Sequence, residues 1–333
     1  MHIPQIPVLS PYEAQCFSKY FKCVDMLLAK RFSLGFLPNE EHITSILCEL
    51  LDEHGSQLHP LTYSLSDLNN DLKQSCGLLQ ADVSISTSDY NKYEERHFTQ
   101  SDLGIVLEYQ DYIEPDYSFS RGVLIQAKKL FPYQNSDYNF SSKYESFKSD
   151  QHNRLDQLNQ IYVKKGCGSE CVKYLMYNPP LEIIPKYEQQ KILHKEMVRD
   201  AITSEFYFTF GLHRYKELIE SDKASILSLG CLFASIEDVH ELAIQAAARA
   251  SRTQKSLHEF NLGALVDAIN VYESSLSWFF VFDLMMKGVG CSCKEFLDLV
   301  SSGRQSRIVG NLEVIPPKYS IKLKITAGVG EQR

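Results

Sequence analysis

Two short apolar runs, LGIVLEY (103–109) and GVLIQAK (122–128), constrain this chain more than any other feature. Both are too short and too rich in β-branched residues for a buried helix. The Pro-containing stretch QDYIEPDYSFSR between them marks a turn, so they are expected to form a hairpin. The second run ends in an amide and an ammonium. Strand positions two apart share a face, so Gln126 and Lys128 point one way while Ala127 and Lys129 point the other. Lysine is seldom fully buried without a partner, so the end of this strand needs an explanation.

A hairpin folded about residue 115 or 116 sets Lys128 opposite Leu103 and Gln126 opposite Ile105, within one position. Asp102 then shares the Gln126 and Lys128 end. Asp116 falls at the turn end, roughly 30 Å away at about 3.3 Å per residue.

Around the hairpin the chain reads as mixed α/β. Residues 12–32 carry a helical apolar period. Pro38 and Asn39 open a second helix, with Glu40 and Glu41 in the first turn, where the helix dipole favours them. Its apolar positions are Ile43, Ile46, Leu47, Leu50 and Leu51, and Gly55 stops it. SDLNNDLK is a short helix or loop, ADVSIS (81–86) a strand, 87–101 a loop, 143–163 helix-compatible, and CVKYLMYN (171–178) a strand. Beyond residue 186 helices dominate, including one long apolar run from Leu262 that Gly288 ends. The tail over 304–326, with YSIKLKIT, alternates as a strand and reads as a lysine-protected sheet edge.

With 333 residues, 44% of them hydrophobic, the chain is long enough for a substantial core. Its longest apolar stretch, SSLSWFFVFDLMM, is interrupted by Asp283 and falls short of a membrane span. No signal-peptide pattern opens the sequence, and nine scattered cysteines fit reduced thiols in a cytoplasmic setting. The net charge of −8 argues against coating nucleic acid by bulk electrostatics, but leaves room for a local basic cleft.

Taken in chain order, the acidic helix opening NEEHIT, then SDLGIVLEY, then LIQAK resemble the PD-(D/E)XK nuclease superfamily in its Q-x-K form. The resemblance covers about residues 38–178. It implies a restriction-endonuclease-like mixed sheet flanked by helices over residues 1–185, with a mostly helical region over 186–333 packed on it. It further implies that Asp102, Gln126 and a helix acid, Glu40 with Glu41 close behind, hold Mg²⁺ or Mn²⁺, and that Lys128 assists the attacking water. A glutamine on the following helix often joins such sites. Gln151 is the first choice, with Gln157 and Gln160 as alternatives. Lys129, Lys164 and Lys165, with Lys143 and Lys148, would form a basic rim for the substrate.

These residue types suit phosphodiester hydrolysis. A hard cation takes oxygen ligands and polarises a phosphoryl oxygen, while an ammonium orients water and offsets developing charge. Gln126 departs from the charged pattern, since it brings no negative charge to the ion. The resemblance implies an endonuclease acting on DNA more than on RNA, in prokaryotic antiphage defence, with a protein partner or homo-oligomer allowed and no membrane. A non-catalytic nuclease-fold interaction module and an RNA-cleaving toxin-like effector are the alternatives. Two cysteine pairs, Cys167 with Cys171 and Cys291 with Cys293, are unusual in spacing for zinc and far apart in sequence. Ordinary thiols are the plainer expectation there. The chain contains neither a G-x-x-x-x-G-K-[ST] nor a G-x-G-x-x-G motif, so a phosphate-binding loop is not expected.

Overall fold

A computed structural model describes residues 9–33, 39–55, 60–74, 81–89, 101–134, 137–145, 147–196, 229–249, 259–302, 307–314 and 316–328. Pro38 and residues 90–100, 197–228, 250–258 and 304–306, on which some of the readings above fall, lie outside this set.

Helix α1 (Pro11–Ala29) opens with a capping box in which Ser10 and Glu13 satisfy each other's backbone N–H groups. Helix α2 (Glu40–Leu51) opens at Asn39, whose side chain accepts from the His42 N–H at 2.7 Å. It ends at Leu51, earlier than the Gly55 stop expected from sequence. The Asp52 carboxylate accepts from the N–H groups of His54 and Gly55 and turns the chain out of the helix. SDLNNDLK falls in a helix, α3 (Leu65–Gln74).

The main sheet takes its strands from both ends of the chain. In spatial order it runs β1 (Asp82–Asp89), β12 (Tyr319–Ala327), β2 (Leu103–Asp111), β3 (Phe119–Phe131), β6 (Val172–Tyr177) and β7 (Cys231–Ser235). The last 13 described residues therefore supply an interior strand and not the protected edge expected for the tail. Alternation is the signature of any strand with one buried face, so it cannot tell an edge from an interior position. Ile321, Leu323 and Ile325 are buried, while Lys322 reaches Glu108 on β2 at 2.8 Å. β7 and β12 both lie beyond residue 185, so the sheet itself crosses the expected boundary between core and helical region.

Short strands complete the sheet. β4 (Lys143–Tyr144) pairs with the end of β3 and with β8 (Phe260–Asn261). β5 (Gly168–Ser169) pairs with β9 (Gly290–Cys291), which touches β3 at Gly122. β10 (Arg307–Val309) and β11 (Leu312–Val314) form a separate hairpin. Helix α4 (Ser149–Lys164) follows β4 and packs on β6.

The long apolar run from Leu262 is not one helix. It divides into Leu262–Ala268 and Leu276–Trp278, the latter continuing as a π-helical turn to Lys287. Ser275 caps the second piece through Trp278 N–H, which lets an Asn-containing turn interrupt the run. Gly288 ends it with φ of 76°, a left-handed position that favours glycine.

The expected hairpin pairs β2 and β3, but in a different register. Leu103 faces Ile125 and not Lys128, and Ile105 faces Val123 and not Gln126. The turn causes the shift. Asp111 accepts from the N–H groups of Ile113 and Glu114, a 3-10 turn covers Pro115–Tyr117, and β3 already begins at Phe119. A displacement of three residues is odd, so it changes which face Asp102 shares across the pair. The shift puts Asp102 level with Gln126.

Candidate functional site

Three elements meet where β3 passes beyond the start of β2. β3 brings Gln126, Lys128 and Lys129, all buried although polar or charged. The segment entering β2 brings Asp102, whose own N–H donates to Ile125 O at 3.0 Å and whose carbonyl accepts from Tyr319 N–H on β12. Asp102 is thus fixed by backbone bonds to a strand on either side.

Its carboxylate reaches across to β3. Oδ2 accepts from the Ala127 N–H at 2.8 Å and, in a short contact, from Gln126 Nε2. Both bonds fall on the same oxygen, so Oδ1 remains able to take a cation. Burial pushes the Asp102 carboxyl up to about 6. The Lys128 ammonium and the Ala127 N–H pull against that rise, and the charges of Glu40 and Glu41 add to it.

Helix α2 delivers the acid from its first turn. Thr44, one turn after Glu40, is fully buried against Tyr177 of β6, with Oγ1 and the phenol oxygen 3.0 Å apart. Positions i and i+4 lie on one helix face, so this contact aims Glu40 over the ends of β3 and β6. Glu40 Oε2 lies 3.8 Å from Lys128 Nζ, and Oε1 accepts from the Lys129 N–H at 3.3 Å. Glu41 turns away and pairs with Lys318 at the entry to β12. Between the two candidates, the structure brings Glu40 to the site.

Helix α4 closes the site from the other side. His152 Nδ1 lies 3.0 Å from the phenol oxygen of Tyr174, which stands beside Gln126 in the β3–β6 ladder. This anchor sets Gln151, the neighbour of His152, above the strand, where its Nε2 donates to Gln126 Oε1 at 2.7 Å. Gln157 and Gln160 lie further along α4 and face the β10–β11 hairpin.

Lys164 and Lys165 do not join the site, contrary to the basic rim drawn from sequence. They follow Gln151 by 13 and 14 residues, which carries them about 20 Å along the helix at 1.5 Å per residue. Lys164 lines a cleft with Gln157, Gln160, Ile161 and residues 310–312, and Lys165 pairs with Glu295 at 3.4 Å. Lys143, too, is paired with Glu259 at 3.5 Å. Lys129 stays close but is buried, its ammonium 4.3 Å from the centre of the Phe131 ring. Burial lowers its pKa, and Glu40 and Glu145 oppose that. Asp116 is exposed in the 3-10 turn at the far end of the hairpin.

Thr44, Phe147, His152, Tyr174 and Tyr177 are additions that sequence reasoning does not supply. Phe147 places its ring 5.6 Å from Lys128 Nζ. The helical phase of NEEHIT does point to Thr44, since it shares a face with Glu40. Nothing in the sequence pairs it with a tyrosine 133 positions away.

Chemically, the site offers two carboxylates, an amide oxygen and an ammonium within one recess. Among the described residues, no helix is long and apolar enough to cross a membrane. No family model matches the chain, and neither a curated protein nor a solved structure matches it.

Proposed function

We propose that this protein is a metal-dependent nuclease that hydrolyses phosphodiester bonds, with DNA the preferred substrate and antiphage defence its role. The observation that carries this reading is the convergence of Asp102, Gln126, Lys128 and Glu40 from three elements onto one recess. A buried amide and a buried lysine beside two half-buried acids are costly to a fold unless they are paired or used.

The donor set fits a hard divalent cation. Asp102 Oδ1, a Glu40 oxygen and the Gln126 amide oxygen would hold Mg²⁺ or Mn²⁺, which supplies Lewis acidity toward a phosphoryl oxygen. Gln126 now turns its nitrogen to Asp102 and its oxygen to Gln151. Rotation of the amide about its terminal torsion exchanges the two and turns the oxygen toward Asp102. Lys128 sits beside Glu40, where its ammonium orients the attacking water and offsets charge in the transition state. The Ala127 N–H holds Asp102 at a fixed angle throughout.

One observation favours a second reading, a nuclease-fold module that binds without cleaving. Both ends of the Gln126 amide are satisfied by protein groups, so the recess is closed by its own hydrogen bonds. One experiment separates the two. Pure protein is incubated with plasmid, linear and single-stranded DNA and with RNA, in Mg²⁺, Mn²⁺ or EDTA. Cleavage that needs the cation and falls about 10²- to 10⁴-fold in Lys128→Ala supports the nuclease. Retention of nucleic acid without cleavage in any cation supports the binding module. Cleavage of RNA alone reassigns the substrate.

A further inference from the structure

Three cysteines outside the recess, Cys167, Cys291 and Cys293, converge at the opposite end of β3. Cys167 and Cys171 flank the sharp passage from α4 to β6, and Cys291 and Cys293 flank the passage from β9 into the helix Lys294–Ser302. The sulfurs of Cys167, Cys291 and Cys293 all lie within 4.8 Å of one another, and those of Cys291 and Cys293 are 3.4 Å apart. Cys171 is buried at the entry to β6, outside this group of three. Sulfurs bound tetrahedrally to zinc at about 2.3 Å stand about 3.8 Å apart, so the cluster is already near that spacing.

The backbone is shaped to bring these sulfurs together. β5 and β9 pair Gly168 with Cys291 and Ser169 with Gly290. A side chain at residue 168 would put its Cβ 1.9 Å from Gly290 O, so only glycine lets the two cysteine-bearing segments approach this closely. Glu170, next to Cys171, holds a left-handed φ of 47°, a conformation unfavourable to a non-glycine residue. Gly290, next to Cys291, has φ of 106°. Ser292 bonds Cys167 O through its N–H at 2.9 Å and its hydroxyl at 3.1 Å.

We infer that Cys167, Cys291 and Cys293, joined by Cys171 as the fourth ligand when the ion binds, form a structural zinc site that ties the α4–β6 turn to the start of the Lys294–Ser302 helix. Soft thiolate ligands select zinc over the hard cation proposed for the recess. A closed four-sulfur shell leaves no open position for catalysis. The site lies about 20 Å from Lys128, six strand residues along β3 from Gly122, so it neither rests on the nuclease reading nor shares its test.

The test uses the full chain, expressed with zinc and purified without chelator. Elemental analysis is expected to find about one zinc per chain. Cys167→Ser and Cys293→Ser should each reduce this to a small fraction. Cys16→Ser and Cys48→Ser, buried in α1 and α2, should leave it intact. Because a ligand variant can fail to fold, the unsubstituted chain is also reconstituted with Co²⁺. Intense visible bands and a sulfur-to-cobalt charge-transfer band in the near ultraviolet mark tetrahedral thiolate binding. Loss of zinc to a strong chelator should lower the unfolding midpoint, and added zinc should restore it. A zinc-free chain with an unfolding midpoint indifferent to zinc, or a Cys291–Cys293 disulfide found by mass spectrometry, would overturn the inference.

Discussion

The backbone N–H of Ala127 donates to Asp102 Oδ2 at 2.8 Å, so the residue between the glutamine and the lysine of Gln-Ala-Lys holds the acid opposite them. Its alanine side chain points to the other face and is fully buried. The motif therefore works as a unit. Two side chains line the recess, and the peptide between them positions the carboxylate.

Asp102→Asn should remove cleavage, by on the order of 10³-fold, since it takes away the carboxylate that the Ala127 N–H of β3 holds in place. Asp116→Ala should leave the rate unchanged within about twofold, because that residue is exposed at the far end of the hairpin. A plasmid-nicking time course on both variants reads the contrast. An essential Asp116 would place the chemistry elsewhere.

Glu40→Gln should raise the Mg²⁺ concentration needed for half-maximal cleavage about tenfold or more. Glu41→Gln should shift it far less, since Glu41 is paired with Lys318 and contributes only its distant charge. Metal titrations of the two variants decide between them. Equal shifts would mean that Glu41 leaves Lys318 when the ion binds.

Gln126→Glu adds a carboxylate beside Asp102 and Glu40. With a cation present, the extra charge should tighten binding and lower the Mn²⁺ or Mg²⁺ half-saturation of cleavage. Without one, it crowds like charges in a buried recess and destabilises the fold. The variant is expected to melt lower than the parent in EDTA and to recover on adding either ion. A melting temperature indifferent to both ions would favour the binding module.

The pH dependence of stability follows from Asp102. Its carboxyl is pushed up to about 6 by burial, above its usual value of 3.8, so the folded chain binds this proton more tightly than the unfolded chain. In metal-free buffer the contribution is fully favourable below about pH 4 and fades as pH rises through about 6. The loss is at most about 3 kcal/mol. Urea unfolding in EDTA between pH 4.5 and 7.5 should show wild type losing stability relative to Asp102→Asn as pH increases. A constant difference would show that the carboxyl is well solvated.

Much of this arrangement is legible in the sequence. The hairpin runs, the Asn39 start of α2 and the Gly288 stop are local signals, and each appears where its own neighbours dictate. The motif resemblance points to Asp102, Gln126 and Lys128, and leaves open Glu40 or Glu41 on the helix before the hairpin and Gln151, Gln157 or Gln160 on the helix after it. The basic rim is not legible in the same way. Lys164 and Lys165 stand at the far end of α4, and composition does not say which end of a helix meets a site.

The sequence by itself determined the strands, the acidic helix opening and the face shared by Gln126 and Lys128, because these depend on backbone geometry over a few residues. Only the tertiary structure decided that Asp102 stands level with Gln126, that Glu40 and not Glu41 meets Lys128, and that Cys167 meets the distant Cys291 and Cys293 at one corner. It also decided that β12 separates β1 from β2. Each of these is a pairing between segments far apart in the chain. Alternation says which face of a strand is buried, but not which neighbour buries it. That choice belongs to the packing of the whole sheet and of the turns that set its register.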